Sequence, residues 1–588
     1  MEAGDAGNDQ EIHVSSFICI LKYCMKKSLF VTILVLSFSI FFGALAIIIT
    51  YIDKELHFQW LSLSLHFFSV ATIVGYILIH KTIRLKIESY TEVLSLLFVG
   101  LVAVVTRFMY LSTYPFVAVL DEVRDGGLDG VRIASSSISN IFNYGTYEAH
   151  GLIIPTISSF FYQFFPDSVL MYRIPAAIVG SLEIVLMYVL LKRWSNKYTA
   201  IIGSITLATL PLHLFFSRTQ LVVILSSFLT TVLLFAFYRH FKDRGFISYA
   251  SVGMFLGLSL NFHAAIRIVV VTVALFVFVS LIIEKKGVLE KLLKGALVAV
   301  FIVVGFGPRL LFTSPEIFFH TTRLPIIEEY KSSTFLTQVN AIEMLDSYKE
   351  SLLVFVSAPT HFWYSDQKPI FDLVTSGLFV IGLISLILRR KDPLSYVVIA
   401  LIFIVPLTNS AITDTVNSDH RISPLYPIGS LVVGLGGHAI LEYIKSVKTR
   451  WFLIAILVFY LLYQVQFFFS NQKAELTSDK SEYLHMQMIY LLQRRNYQSK
   501  KVCVVSSEEL AKSFEALHHK EQREFFLPGT EIVLSSDTRR GDNVMYLYQG
   551  ECLEYHLDPV NVFTLKCNES NKFMCPYEHE VDFYFYYE

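Results

Sequence analysis

Near-continuous apolar stretches dominate this chain, each ~17–22 residues long and so able, as a helix, to cross a ~30 Å hydrocarbon core. Thirteen candidates fall at about 29–50, 61–79, 92–111, 172–191, 199–216, 219–238, 247–264, 267–283, 295–312, 371–388, 394–410, 425–443 and 452–469. The segments starting at 199 and 247 are divided from their successors by very few residues. A bilayer offers no water to unpaired backbone groups, so segments of this kind must form helices packed in lipid. Composition agrees: 54% of the 588 residues are hydrophobic and 16% charged, far too few charges for the surface of a soluble protein of this length. A net charge of -1 argues against a nucleic-acid partner. The opening MEAGDAGNDQ has no basic region ahead of an apolar core, so the first span is expected to act as its own insertion signal.

Basic residues set the expected orientation. Lys22, Lys26 and Lys27 precede the first span, and Lys81, Arg84 and Lys86 follow the second. Further basic groups follow the fourth (Lys192, Arg193, Lys197), sixth (Arg239, Lys242, Arg244), eighth (Lys285, Lys286, Lys291, Lys294), tenth (Arg389, Arg390, Lys391) and twelfth (Lys445, Lys448, Arg450). Every second connection is basic and short, which places it and the N-terminus in the cytoplasm. The opposite face then receives 112–171, 313–370, 411–424 and everything after about 470. Long loops are uncommon without a task, so function is sought on that face.

After Phe469 the composition changes. Residues 482–498 and EELAKSFEAL read as helices; KVCVVSS (501–507), EIVLSS and NVMYLYQ read as strands. The expectation is a small extracytoplasmic α/β domain. Four of the six cysteines lie there, Cys503, Cys552, Cys567 and Cys575, an even number that suits disulfides; Cys503 inside an apolar strand equally suits a buried thiol. Asn568-Glu-Ser570 matches a glycosylation sequon, a triplet common by chance.

The first outer loop carries the densest chemistry. About ten residues past the third span stand Asp121 and Glu122, then Arg124 and Asp125. Leu128, Val131, Ser135, Ile138 and Phe142 recur at helical spacing and suggest a helix lying on the membrane surface, after which come Glu148 and His150. An acidic pair in a loop is most often solvated surface. Here the flank VAVL is apolar, the bilayer edge is close and an acid–imidazole pair returns to the same boundary, conditions that raise a carboxylate's pKa and suit it to act as a base.

These residues resemble a known family. Asp121-Glu122-x-Arg124, a surface helix, Tyr147-Glu148-x-His150 and the apolar run ending in FFYQFFPDS are similar to the first outer loop of the GT-C glycosyltransferases. The nearest likeness is to bacterial lipid A aminoarabinose transferases and protein O-mannosyltransferases. It continues in Arg173-x-Pro175-Ala-Ala-x-x-Gly180, in LMYVLLKRWSNKYTAIIGSITLATLPLHLFFSR, in GLSLNFHAAIRI and in HRISPLYPIGSLVVGLG. The resemblance implies an all-α polytopic membrane fold, a polyprenyl-phosphate-linked sugar donor, Asp121 as the catalytic carboxylate and Glu148 as a second acid. The chain departs from the pattern in two additional N-terminal spans, in Ala149-His150-Gly151 after the second acid, and in LVVILSSF, which lacks the acid often found after Ser217-Arg218.

Other polar residues collect at the outer boundary: Arg218 and Gln220; His263 and Arg267; Asp419, His420 and Arg421. Each alone suits an interfacial or capping residue. Together they offer the fixed cations that a polyprenyl phosphate needs, with Arg421, Arg267 and Arg124 the best candidates because a guanidinium forks onto phosphate. His320, His361 and Trp363 have no spacing that assigns them a role. Glu183, inside a span, reads as a structural partner of another span. No cofactor is assigned; Asp121, Glu148 and His150 would supply the bare minimum of three ligands for a divalent metal ion, which stays unassigned.

The expected organisation is 1–91 with the cytoplasmic segment and two extra helices, 92–470 as the GT-C-like core with outer loops 112–171 and 313–370, and 471–588 as the extracytoplasmic domain. The expected activity is transfer of a sugar from a lipid-linked donor to an extracytoplasmic lipid, glycan or protein, in a bacterial inner membrane, with Asp121, Glu122 and Glu148 catalytic and His150, His263 and His420 assisting. A non-catalytic transporter or flippase of lipid-linked saccharide is the alternative; a scaffold whose exported tail binds partners is a third.

Overall fold

In a computed structural model of the protein, the described residues are 8–53, 57–79, 90–112, 129–134, 140–142, 152–165, 170–219, 221–313, 341–360, 368–389, 392–412, 416–475, 501–506, 531–536, 545–549, 561–565 and 581–586. The helices are α1 (Asn8–Ile52), α2 (Gln59–Ile79), α3 (Tyr90–Phe108), α4 (Asp129–Ala134), α5 (Ile153–Tyr162), α6 (Leu170–Trp194), α7 (Lys197–Thr209), α8 (Pro211–Thr219), α9 (Leu221–Lys242), α10 (Phe246–Ser259), α11 (Ala265–Ile283), α12 (Val288–Phe306), α13 (Ala341–Leu352), α14 (Leu373–Leu388), α15 (Pro393–Ile412), α16 (Leu425–Glu442) and α17 (Val447–Glu475). This is an integral, multi-pass, α-helical membrane protein. Nine of the described helices are long and apolar enough to cross a bilayer, and a tenth span results if α7 and α8 count as one. Every predicted apolar segment is largely helical, but 199–216 divides between α7 and α8, and Phe246–Ser259, Leu373–Leu388 and Pro393–Asn409 are shorter than a span, so the described residues give nine or ten spans where thirteen were expected. The segment predicted at 247–264 is helical only as α10, 14 residues or about 21 Å long, because the chain turns at Leu260 and Asn261.

The break between α7 and α8 follows from Leu210-Pro211. A residue before proline is pushed out of the α region, and Leu210 sits at φ -59, ψ 118, bending the pair by 61°. The helix starts are set as deliberately. Asn196 caps α7 by accepting from the Tyr198 and Thr199 amides at 2.9 and 3.1 Å, and Asp372 caps α14 by accepting from Val374 and Thr375 at 2.9 and 3.2 Å.

The chain divides into two compact units. The first comprises Met1–Lys86, Leu233–Asn261 and Val273–Thr313. Its core is Ile73, Ile77, Ile247, Ala250, Met254, Phe301 and Val304. Helices α10 and α12 approach so closely that a Cβ on Gly257 would collide with the Ile302 carbonyl. Small residues at such crossings let backbones touch where no hydrophobic force drives helices together. Serine and threonine pairs join α1 to α2, Ser39 to Ser69 at 3.1 Å and Thr50 to Ser62 at 2.5 Å.

The second unit comprises Ile87–Val232, Phe262–Thr272 and Ser314–Glu588. Its helix ends gather into two sets. At one, Lys192 pairs with Glu92 at 2.6 Å, the Trp194 indole N–H donates to Asp392, Arg389 lies 5.8 Å over the Trp194 ring and Lys197 5.5 Å over Trp451. At the other, Arg173 donates to the Leu111 carbonyl at 3.1 Å, Tyr110 meets Phe469, and Phe216 stacks on Tyr426. The first set contains the connections that the charge pattern assigns to the cytoplasm, and the second those assigned to the opposite face.

In the first outer loop the predicted surface helix is present at Asp129–Ala134 and does not extend to Phe142. It is helical as α4, whereas Ile141 and Phe142 lie in a turn where the Phe142 amide donates to the Asn140 side chain at 2.9 Å. Asparagine competes with helical hydrogen bonding in this way. Ile133, Ile141 and Phe142 are buried.

The three predicted strands of the tail are present as β1 (Lys501–Ser506), β2 (Glu531–Ser536) and β3 (Met545–Gln549), joined by β4 (Asn561–Leu565) and β5 (Val581–Tyr586). They form one sheet in the order β2-β1-β3-β5-β4, parallel at β1/β2 and β3/β5 and antiparallel elsewhere. The predicted tail helices and Cys552, Cys567 and Cys575 lie outside the described residues.

Candidate active site

The geometry at the outer-assigned end of the second unit begins with a turn. Asn417 takes φ 56, a left-handed conformation that asparagine tolerates, and its side chain fixes the loop. Its Oδ1 accepts from Ser351 Oγ at 2.9 Å and its Nδ2 donates to the Pro359 carbonyl at 3.1 Å; Asn409 in turn donates to Ser351 at 3.2 Å. Three chain segments thus clamp the stretch that carries Asp419, His420 and Arg421.

Asp419 is fully buried and accepts from the His420 amide at 2.7 Å, while Tyr426, at the start of α16, donates to the Asp419 carbonyl at 2.5 Å. The His420 ring lies 3.1 Å, through Nδ1, from Ser418 Oγ, and the Arg421 amide closes a turn onto the Ser418 carbonyl at 3.0 Å. Opposite it stands His263, whose Nδ1 accepts from the Ala265 amide at 3.2 Å at the start of α11. The two imidazoles meet edge to face, centroids 5.9 Å apart at 76°. Arg267 follows one turn along α11, its amide bonded to the Ala264 carbonyl at 3.0 Å. The structure therefore brings together His263 and His420, which lie 157 positions apart in sequence (420 − 263), each with an arginine close by in the chain, Arg267 and Arg421.

Arg218 plays a different part. It is fully buried at the end of α8, and its guanidinium donates to the carbonyls of Thr106 (2.9 Å), Arg107 (2.8 Å) and Met109 (2.8 Å). These are the carbonyls that a helix end leaves without partners, so Arg218 caps α3 where the chain departs into the first outer loop. Its guanidinium also lies 5.0 Å over the Phe469 ring, near the end of the apolar part of α17.

Glu183 has the structural partner expected of it. It is fully buried and accepts from Ser227 at 2.7 Å and Thr231 at 3.2 Å, and its other oxygen lies 3.0 Å from His213 Nε2. Sequence reasoning missed His213 and Arg107, whose Nη2 lies 2.6 Å from His213 Nδ1. Asp121, Glu122, Arg124, Glu148 and His150 lie outside the described residues. Among the described residues no cluster of three or more His, Cys, Asp or Glu could hold a metal ion.

Comparison with known proteins returns a family model over residues 149–311, described as dolichyl-phosphate-mannose-protein mannosyltransferase. That span holds Glu183, His213, Arg218, His263 and Arg267. No curated protein matches in sequence. Among solved structures, ArnT from Cupriavidus metallidurans bound to undecaprenyl phosphate aligns at TM-score 0.43 and 13% identity over 69% of this chain and 73% of that one. The Archaeoglobus fulgidus oligosaccharyltransferase aligns at 0.45 and 15% over 73% and 60%. The archaeal oligosaccharyltransferase AglB, in complex with an inhibitory peptide and a dolichol-phosphate, aligns at 0.44 and 13% over 70% and 59%. TM-scores below 0.5 transfer no residue roles. What the chain shares with a known family is therefore residues 149–311, which match the dolichyl-phosphate-mannose-protein mannosyltransferase model.

Proposed function

We propose that this protein transfers a sugar from a polyprenyl-phosphate donor to an acceptor on the non-cytoplasmic side of its membrane. The observation that carries the reading is the family match over 149–311, a segment whose outer-assigned ends supply His263 and Arg267.

The chemistry asks little of the protein. A phosphate-linked sugar leaves with a weakly basic phosphate, so no general acid is required. What is required is a base for the acceptor hydroxyl and fixed positive charge for the departing phosphate. Asp121 is assigned the first task, with Glu122 and Glu148 as further catalytic acids and His150 as an additional candidate. Arg421, Arg267 and Arg124 are assigned the second, with His263 and His420 as hydrogen-bonding walls. One displacement by the activated hydroxyl inverts the anomeric centre. The acceptor is a lipid, glycan or protein of the cell envelope, and the membrane is the bacterial inner membrane with the site facing the periplasm.

Purified protein in lipid nanodiscs, given polyprenyl-phosphate sugars and an envelope extract, should release free polyprenyl phosphate and a glycosylated product detectable by mass spectrometry. Movement of intact donor between leaflets without product would instead support the transporter.

A further inference from the structure

The fully buried residues Arg107, His213 and Glu183 are used nowhere in the proposed chemistry. They come from three helices, α3, α8 and α6. A guanidinium can only donate hydrogen bonds, so His213 Nδ1, 2.6 Å from Arg107 Nη2, must accept. The ring proton then sits on Nε2 and donates to Glu183 Oε2, 3.0 Å away. Ser227 and Thr231 donate to the other carboxylate oxygen, at 2.7 and 3.2 Å. Arg107 Nη1 also donates to Thr106 Oγ1 at 2.6 Å and to the Ala208 carbonyl beside the break between α7 and α8. A neutral imidazole thus joins a buried cation to a buried anion that do not touch directly.

We propose that His213 is a positioning residue: a neutral hydrogen-bond bridge that locks the bent segment α8 onto α3 and α6 and thereby fixes the outer end of α3. Arg218, five residues further along α8, holds the carbonyls of Thr106, Arg107 and Met109, so the seat of α8 sets where α3 ends. The first outer loop, with Asp121 and Glu122, departs from that end. The role needs an acceptor facing Arg107 and a donor facing Glu183; it needs no titration. Glutamine offers both, and leucine neither.

The test is hydrogen exchange by mass spectrometry on the full chain in nanodiscs, comparing wild type, His213→Gln and His213→Leu. The peptide covering 106–112 is the reporter and one covering 247–258, in the other unit, the control. His213→Leu should speed exchange at 106–112 by about tenfold or more with the control unchanged, and His213→Gln should stay within about twofold of wild type. Wild-type exchange in the leucine protein would overturn the proposal, because packing alone would then suffice. Raised exchange at 106–112 in the glutamine protein would equally overturn it, and this second variant decides the matter where the leucine protein fails to fold.

Discussion

Arg218 shows how much a single buried cation can organise. Two of its three carbonyl partners, Thr106 and Arg107, belong to the last turn of α3 and the third, Met109, follows it directly, where a bilayer offers no water to fall back on. Arg218→Ala should therefore lower stability by about 2–3 kcal/mol, read as a lower unfolding midpoint in detergent, since it strands buried acceptors as well as removing their donor. Arg218→Lys should recover only part of this, because one ammonium cannot reproduce the fork. A midpoint unchanged in the alanine protein would mean that the carbonyls find other donors. At this scale the sequence was informative about residue type and poor about partners. His263 and His420 were legible because both stand at outer ends of apolar segments, where charge pattern alone places them. His213 was not: inside PLHLFF it reads as a core residue, and its partner Arg107 is 106 positions away.

Elements were legible where hydrophobic length set them; the bend within 199–216, expected as one span, and the cap at Asp372 were not. The α7–α8 break follows from Leu210-Pro211 and the start of α14 from Asp372. The five-residue strand β4 and the terminal β5 were missed, although VDFYFY alternates aromatic residues in the manner of a strand. Asp372 also ties α14 to α17. It stands just outside α14 and accepts from the Tyr460 hydroxyl and the Gln464 amide, both at 2.6 Å, and from Thr375 Oγ1 at 2.5 Å. Asp372→Asn keeps an acceptor for only part of this set and should lower the unfolding midpoint in detergent, whereas an unchanged midpoint would mean that the tie between α14 and α17 is dispensable.

For the whole molecule, the alternation of basic connections gives a topology that the structure meets with two separate sets of helix ends in its second unit. A reporter fused after Phe469 should be active outside the cytoplasm and one after Arg244 inside it. A cytoplasmic tail would remove an odd number of spans from the account and place the outer cluster on the wrong side. The order of acid pair, surface helix and second acid in the first outer loop rests on the resemblance alone, since Asp121, Glu122 and Glu148 lie outside the described residues. The contacts around Asn417 that clamp the His420 loop were not legible, because asparagine's left-handed turn leaves no periodic trace in sequence.

The central claim is that a carboxylate on the first outer loop drives sugar transfer at the face where His263 and His420 meet. Its most direct measurement is the single-turnover rate of sugar transfer from a polyprenyl-phosphate donor by wild type, Asp121→Asn and Arg421→Ala. The amide keeps the size of the carboxylate and cannot take a proton, so Asp121→Asn should bind donor as wild type does and transfer at least about 100-fold more slowly. Arg421→Ala should instead weaken donor binding. Transfer by Asp121→Asn at the wild-type rate would contradict the account, leaving the acidic pair as ordinary loop surface.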